Sequence, residues 1–370
     1  MTPRAKLEKY GVALLASRVG KLGADPCGGS EVVLWEDAKI LKDAGIPVRV
    51  YGRAAFEGAP VHILPLRTAL PLVTSFEYGM KLLRREPEAL IVAYNEPSMA
   101  GWAPDRVIAR FDWTTPLPRY WNWPFWLSRF RRARYLFPSE FEQRLFLERH
   151  NKIPESRTSM VWNAVDLRLF RPVGDGLENQ QVEKLRVGYA GQWEPDKGIY
   201  HLLEAWRSVK SAVPQAELCL AGGEKLWKNV AETRGSVDCS AKVRQMEREG
   251  MLTTVGTVPR NQMPGFWNSL SVAVVPSFHE AFGLIAVEAM ACGIPIVATA
   301  VGGLKEIVKD RETGLLVPPG DAAALAQALV TLLTDEPLRR RLGQGALRRA
   351  EMFSLERRSS ALLQFFVDAS

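Results

Sequence analysis

Residues 272–275, Val-Ala-Val-Val, form a short continuous apolar run that reads as a strand of a parallel sheet buried on both faces, closed by Pro276 and Ser277. After the loop 278–283 comes Leu-Ile-Ala-Val-Glu-Ala-Met-Ala-Cys at 284–292, apolar on nearly every face and stopped by Gly293, which predicts a buried helix. Glu288 is its single charge. A carboxylate in such a helix needs strong hydrogen-bond donors, and no Lys or Arg stands one turn away to give them, so its partner comes from elsewhere. Few folds accommodate such a stretch. It asks for a parallel sheet with helices packed over it.

If the helix starts near Gly283, its free N–H groups and positive end face the carboxyl edge of the strand, a ready site for phosphate. Glu288 then sits ~7 Å further along the axis at about 1.5 Å per residue, the separation between a diphosphate and the ribose hydroxyls of one nucleotide. Glu280, in the preceding loop, points at whatever lies beyond the phosphates. The stretch reads as a nucleoside diphosphate site with a second carboxylate at its reactive end.

These residues carry a resemblance. Glu280 and Glu288 form an E-x7-E pair within Pro-Ser-Phe-His-Glu-Ala-Phe-Gly-Leu at 276–284, and the likeness runs on through 293–299 and 301–308 to Gly-Leu-Leu-Val-Pro-Pro-Gly-Asp at 314–321. This run of about 50 residues resembles the donor-binding region of retaining GT-B glycosyltransferases of family 4, the glycosyl transferases group 1. The implied fold is α/β, GT-B, with two Rossmann-like domains facing a central cleft and a C-terminal helix crossing back to the first domain. Residues 1–172 are then an acceptor-binding domain, 173–184 a linker, 185–352 a nucleotide-sugar-binding domain, and 353–370 the helix that packs back. By the same resemblance Glu288 binds the ribose hydroxyls. The N–H groups of Gly283 and Leu284, beside Phe282, hold the diphosphate together with Lys197. Glu280 orients the donor sugar, and backbone at Thr257 and Val258 holds the base.

Elsewhere the strand and helix alternation repeats. The first half opens with a strand at 10–16, a loop to Gly28 and Gly29, a helix at 30–43 and a strand at 46–51. Glycines at a helix start let a ligand approach the backbone, or simply turn the chain with Ser30 as cap; the resemblance places this loop under the donor diphosphate. Further strands are expected at 61–66, 89–94, 106–111, 135–139 and 157–162, with helices at 72–85 and 140–150. The segment 163–172, with Asn163, Asp166 and Phe170, resembles the family's crossover, and Ala164 stands where a Gly is usual. The second half opens with a strand at 185–190 and the loop Gly191, Gln192 to Lys197, Gly198. Its Lys can neutralise diphosphate oxygens as charge develops. Gln192 replaces the family's Arg. Gly222 ends the strand 216–221, and helices close the chain at 322–333, 338–351 and 355–367. The family's His after the fifth strand of the first domain is absent from 109–113; Asp112 stands in for it, or serves as a loop cap or ion-pair partner.

The composition fits this picture. A chain of 370 residues is long enough for two domains, and hydrophobic content of 47% with 24% charged residues is that of a folded chain without a membrane span, expected in the cytoplasm. Cys27, Cys219, Cys239 and Cys292 have no metal spacing and read as reduced packing residues. Neither a metal nor another cofactor is expected. Residues 1–172 hold 26 Lys+Arg against 18 Asp+Glu, so the basic excess lies in the first half. Pro124 can open a helix whose Phe125, Trp126, Arg129 and Arg132 are spaced for adjacent turns, and Trp123, Trp126, Arg129 and Arg132 suit an anionic membrane or a lipid-linked acceptor; the alternative is tryptophans in the core and arginines on a solvated face. No nucleic-acid module and no G-x-G-x-x-G after a strand is present. The implied activity is transfer of a sugar from a UDP- or GDP-sugar to a glycan or lipid-linked acceptor with retention. The alternative is a GT-B protein that binds nucleotide-sugars without transfer, or a sugar epimerase.

Overall fold

The computed structural model describes residues 1–16, 29–52, 61–63, 79–112, 117–118, 121–173, 185–223 and 239–369. Gly28, Cys27, Trp113, the stretch 174–184 of the expected linker, the polar stretch 224–238 and the first half of the expected helix 72–85, residues 72–78, lie outside these residues. Two compact units are formed, one from Met1–Asn163 with Glu356–Ser370, the other from Ala164–Leu355.

In the first unit the described strands are β1 (Val12–Leu15), β2 (Val48–Gly52), β3 (Val61–Ile63), β4 (Leu90–Tyr94), β5 (Val107–Arg110), β6 (Arg134–Phe137) and β7 (Thr158–Met160). They pair in the order β3-β2-β1-β4-β5-β6-β7, all parallel. β1, β4 and β5 are buried along their whole length, which is why each reads as an unbroken apolar run. One residue breaks that logic: Arg110, fully buried at the end of β5.

Arg110 belongs to a buried ionic network. Asp37, on the helix Gly29–Asp43, accepts hydrogen bonds from the Tyr94 hydroxyl at 2.6 Å and from Arg358 Nε at 3.0 Å, with Arg110 Nη1 3.9 Å away. Arg110 Nε donates to Asp112 at 3.0 Å and Nη2 to Asn163 Oδ1 at 2.6 Å. Arg358 also donates to the Trp162 carbonyl at 2.6 Å. Because Arg358 lies on the last helix, Leu355–Ala369, the end of the chain is fastened to the first unit through a charge that only this pairing makes tolerable in the interior.

The second unit carries β8 (Arg186–Gln192), β9 (Glu217–Gly223), β10 (Thr253–Gly256), β11 (Val272–Val275), β12 (Ile296–Thr299) and β13 (Gly314–Val317) in the order β10-β9-β8-β11-β12-β13, again parallel. The helix Ile199–Ala212 buries Ile199, Leu202, Leu203, Trp206 and Val209, a helical stripe on the sheet. The unit begins at Ala164, ahead of the stretch read as a linker. The cause is local: Phe170 is fully buried, Val165 bridges to Ser354, and the Asn268 side chain holds both the Val173 N–H and the Arg171 carbonyl at 3.0 Å.

Strand order reverses between β1 and β4 and between β8 and β11. Ligands of open α/β sheets bind outside the carboxyl ends of the strands at such points. Among the described residues no helix is long and apolar enough to cross a membrane.

Candidate functional site

The second unit's reversal point is built around the loop that leaves β11. Thr299, at the end of β12, donates its hydroxyl to the Ser277 carbonyl at 2.5 Å, and the Gly303 N–H donates to the Glu280 carbonyl at 2.8 Å. On the other side the Phe278 N–H donates to the Asp196 carbonyl at 2.9 Å. Two glycines permit this close packing. Gly198 has φ +70° and a Cβ there would stand 1.8 Å from the Pro276 oxygen; Gly302 has φ +46° and its Cβ would stand 2.1 Å from the Glu280 oxygen.

Held in this way, Glu280 meets Lys197. Lys197 Nζ lies 2.9 Å from Glu280 Oε2, and Ser277 Oγ lies 3.3 Å from the same oxygen. Both side chains keep part of their surface open, 39% for Lys197 and 21% for Glu280, so an anion and a polyol can reach them. The helix Leu284–Ala291 starts next door. Gly283, its N-cap at φ +111°, offers no side-chain cap, and Leu284 is half-buried at the opening turn. The Phe282 ring is buried edge-on against Phe353, 5.7 Å between centroids, and anchors the loop from within.

Glu288 is 2% exposed, as the apolar helix requires. Its partner is Arg260, from the connection between β10 and the helix Met263–Asn268, whose Nη1 donates to Glu288 Oε1. The buried Trp267 indole N–H, without an acceptor in hydrogen-bond geometry, faces the same carboxylate. Burial raises the Glu288 carboxyl above its ordinary range, and Arg260 and Trp267 pull it back. Cys292, one turn on, has its thiol pushed up to about 12 by burial and by Glu288, which makes it inert; Cys219 and Cys239 are also buried and are not in disulfides.

Gly191 and Gly222 lie side by side in the register of β8 and β9, and the Gln192 carbonyl accepts the Tyr189 hydroxyl at 2.6 Å. Thr257 is exposed and Val258 half-buried just past β10, in the connection that carries Arg260. Arg260 escaped sequence reasoning because its carboxylate lies on a different helix.

In the first unit, Gly29 opens the helix Gly29–Asp43, and Asp112 follows β5 as part of the buried network. The Asp112 N–H donates to Asn95 Oδ1 at 2.8 Å, and Asn95 Nδ2 reaches Ser30 Oγ at 3.3 Å. Burial raises the Asp112 carboxyl, although Arg110 opposes it. Glu31, also missed in the sequence, is buried beside them and is pushed up to about 7 by burial and, more weakly, by Asp112. Since the folded carboxyl keeps its proton to higher pH than the unfolded one, this stabilisation is complete below 4.5 and is lost as pH rises through about 7. The loss amounts to about 3 kcal/mol at 1.36 kcal/mol per pH unit. Urea unfolding at pH 4.5 and pH 8 is therefore expected to show a smaller pH loss in Glu31→Gln than in the wild type; equal losses in both would refute the assignment.

The aromatic and basic segment divides differently from its sequence reading. On the helix Pro124–Phe130, Trp126 packs edge-on against Trp102 at 5.0 Å, and Arg129 donates to the carbonyls of Gly101 and Trp102. Arg132 pairs with Asp105. Arg129 is engaged because the preceding helix, Ser98–Trp102, ends beside it with open carbonyls, while the Arg132–Asp105 pair stays exposed. Trp123, 63% exposed, and Phe125, 65% exposed, face outward with exposed Arg131.

Among the described residues no three His, Cys, Asp or Glu side chains converge as metal ligands would. Residues 178–349 match the family described as glycosyl transferases group 1. A D-inositol 3-phosphate glycosyltransferase of Salinispora arenicola is 31% identical over 240 residues, 60% of this chain and 52% of that protein. One from Kribbella flavida is 25% identical over 394 residues, covering 93% of this chain and 92% of its own. The chain spans about half the length of most of the curated relatives compared. Sucrose-phosphate synthase from Thermosynechococcus elongatus superposes with a TM-score of 0.74 at 25% identity, covering 96% of this chain and 98% of that one. The fold is also that of Anabaena HepE in complex with UDP and glucose, TM-score 0.74 at 20% identity over 96% and 98% of the two chains. Residues 178–349, a little under half of the chain, are thus similar to the glycosyl transferases group 1 family, and the fold of the chain is GT-B.

Proposed function

We propose that this protein transfers a sugar from a UDP- or GDP-sugar to a hydroxyl of a glycan or lipid-linked acceptor, with retention and without a metal, in glycan, glycolipid or cell-surface polysaccharide assembly. The observation that carries the reading is the Lys197–Glu280 pair, 2.9 Å apart beside the N-terminus of the helix Leu284–Ala291. In this reading the Gly283 and Leu284 N–H groups and Lys197 take the diphosphate, positive charge placed where the leaving group gains negative charge. Glu280, freed from Lys197 by the phosphates, accepts hydroxyls of the donor sugar. Glu288 takes the ribose diol, and the backbone at Thr257 and Val258 the base. The relatives support this class: their names specify transfer to an inositol phosphate, and HepE was crystallised with UDP and glucose.

In this reading the first unit binds the acceptor, with Gly29 and Asp112 among the residues that serve it. We place the enzyme in the cytoplasm, resting on anionic lipid at the inner face of the membrane through Trp123, Phe125 and Arg131, aromatic anchors with a cation beside them. Gln192, neutral where the resemblance implies Arg, favours the second reading, a binding protein without turnover; release of free nucleotide from donor and acceptor separates the two.

The test is thermal stabilisation of wild type and Glu288→Ala by UDP, GDP, ADP and NAD. One nucleoside diphosphate at about 100 times its dissociation constant is expected to add roughly 2.7 kcal/mol to the wild type and nothing to the variant. Stabilisation by none of them, or an equal response in the variant, overturns the reading.

A further inference from the structure

Glu288 is useful to a ribose only as an anion. A protonated carboxyl offers weaker acceptors to a vicinal diol, whereas a carboxylate accepts both hydroxyls in charge-assisted bonds. Burial in an apolar helix works against the anion. The counter-charge lies 28 residues away in the sequence, on Arg260.

Three features of that arginine bear on the nucleotide. Its side chain is 28% exposed while that of Glu288 is 3% exposed, so the guanidinium is the outward member of the pair and flanks any approach from solvent to the carboxylate. It donates to Oε1 of Glu288 and lies over the Phe170 ring, 5.3 Å from the centroid, which fixes the plane of its fork. It also follows Thr257 and Val258 in the same connection between β10 and the helix Met263–Asn268. The stretch assigned to the base and the carboxylate assigned to the ribose are thereby joined by one ion pair.

We infer that Arg260 is a positioning residue for the nucleotide: it keeps Glu288 ionised and oriented toward the ribose diol and couples ribose recognition to base recognition. The inference rests on the nucleotide-sugar reading above.

Calorimetry with UDP, GDP and their 2′-deoxy analogues tests it on the whole protein. The wild type is expected to prefer the ribonucleotide by about tenfold to hundredfold, the contribution of a hydrogen bond to a charged group. Arg260→Met should bring that preference within about threefold, and Arg260→Lys, which restores the charge, should recover at least part of it. Should Arg260→Met fail to fold, Arg260→Gln carries the same expectation. A merely structural arginine would weaken both analogues alike and leave their ratio at the wild-type value, which overturns the inference while the donor reading stands. If the wild type binds neither UDP nor GDP, the donor reading fails and this one with it.

Discussion

Lys197→Ala is expected to lower sugar transfer about 10²- to 10³-fold with the loss chiefly in kcat, the usual effect of removing one preorganised donor from a developing charge. In the proposed reaction the physical reason is timing: Lys197 is paired with Glu280 at 2.9 Å, and its charge would be most needed as a diphosphate departs. Stability should hardly change, because an ion pair this open to solvent contributes little, about 0 to 1 kcal/mol. Steady-state kinetics beside a thermal melt check both halves. A variant that loses activity only in proportion to its loss of folded protein would show Lys197 to be structural, and unchanged kcat would remove it from the mechanism.

Arg358→Leu should have the opposite signature, a loss of about 3–5 kcal/mol in unfolding free energy, because Asp37 is left as an unpaired charge in the interior. Asp37 retains the Tyr94 hydroxyl, and Arg110 remains 3.9 Å away, which are too little to replace a guanidinium at 3.0 Å. Adding Asp37→Asn to the variant should recover part of the loss, since the stranded charge goes with it. Urea unfolding of the wild type, both single variants and the double variant measures the coupling. Additive effects would mean that the last helix is held to the first unit by its apolar face alone, Leu362, Phe365 and Phe366.

Where the fold could be read from the sequence, burial was the reason. Parallel strands covered on both faces leave unbroken apolar runs, so Val272–Val275 and Leu90–Tyr94 stand out, and a helix apolar all round made Glu288 conspicuous. Glu280 and Lys197, which the motif singles out, meet in the structure at 2.9 Å. Partners were not legible. Arg260 and Glu288 are 28 residues apart, and Arg358 and Asp37 are 321 apart, so no local spacing records either contact. Arg110 closes an otherwise apolar strand, and its charge is acceptable only because Asp37, Asp112 and Asn163 converge on it. Arg132 stays on the surface in an exposed pair with Asp105, whereas Arg129 is engaged by the carbonyls of Gly101 and Trp102, which lie beyond its own helix.

The placement of Glu356–Ser370 in the first unit sets an order of assembly on the ribosome. The second unit is one unbroken stretch, Ala164–Leu355, and can close as soon as it emerges. The first unit, although translated first, waits for its last piece: Asp37 meets Arg358 only after 321 further residues, roughly 16–64 s at about 5–20 residues per second. Through that interval the face that will receive Leu362, Phe365 and Phe366 is uncovered, and the domain made first is the one finished last.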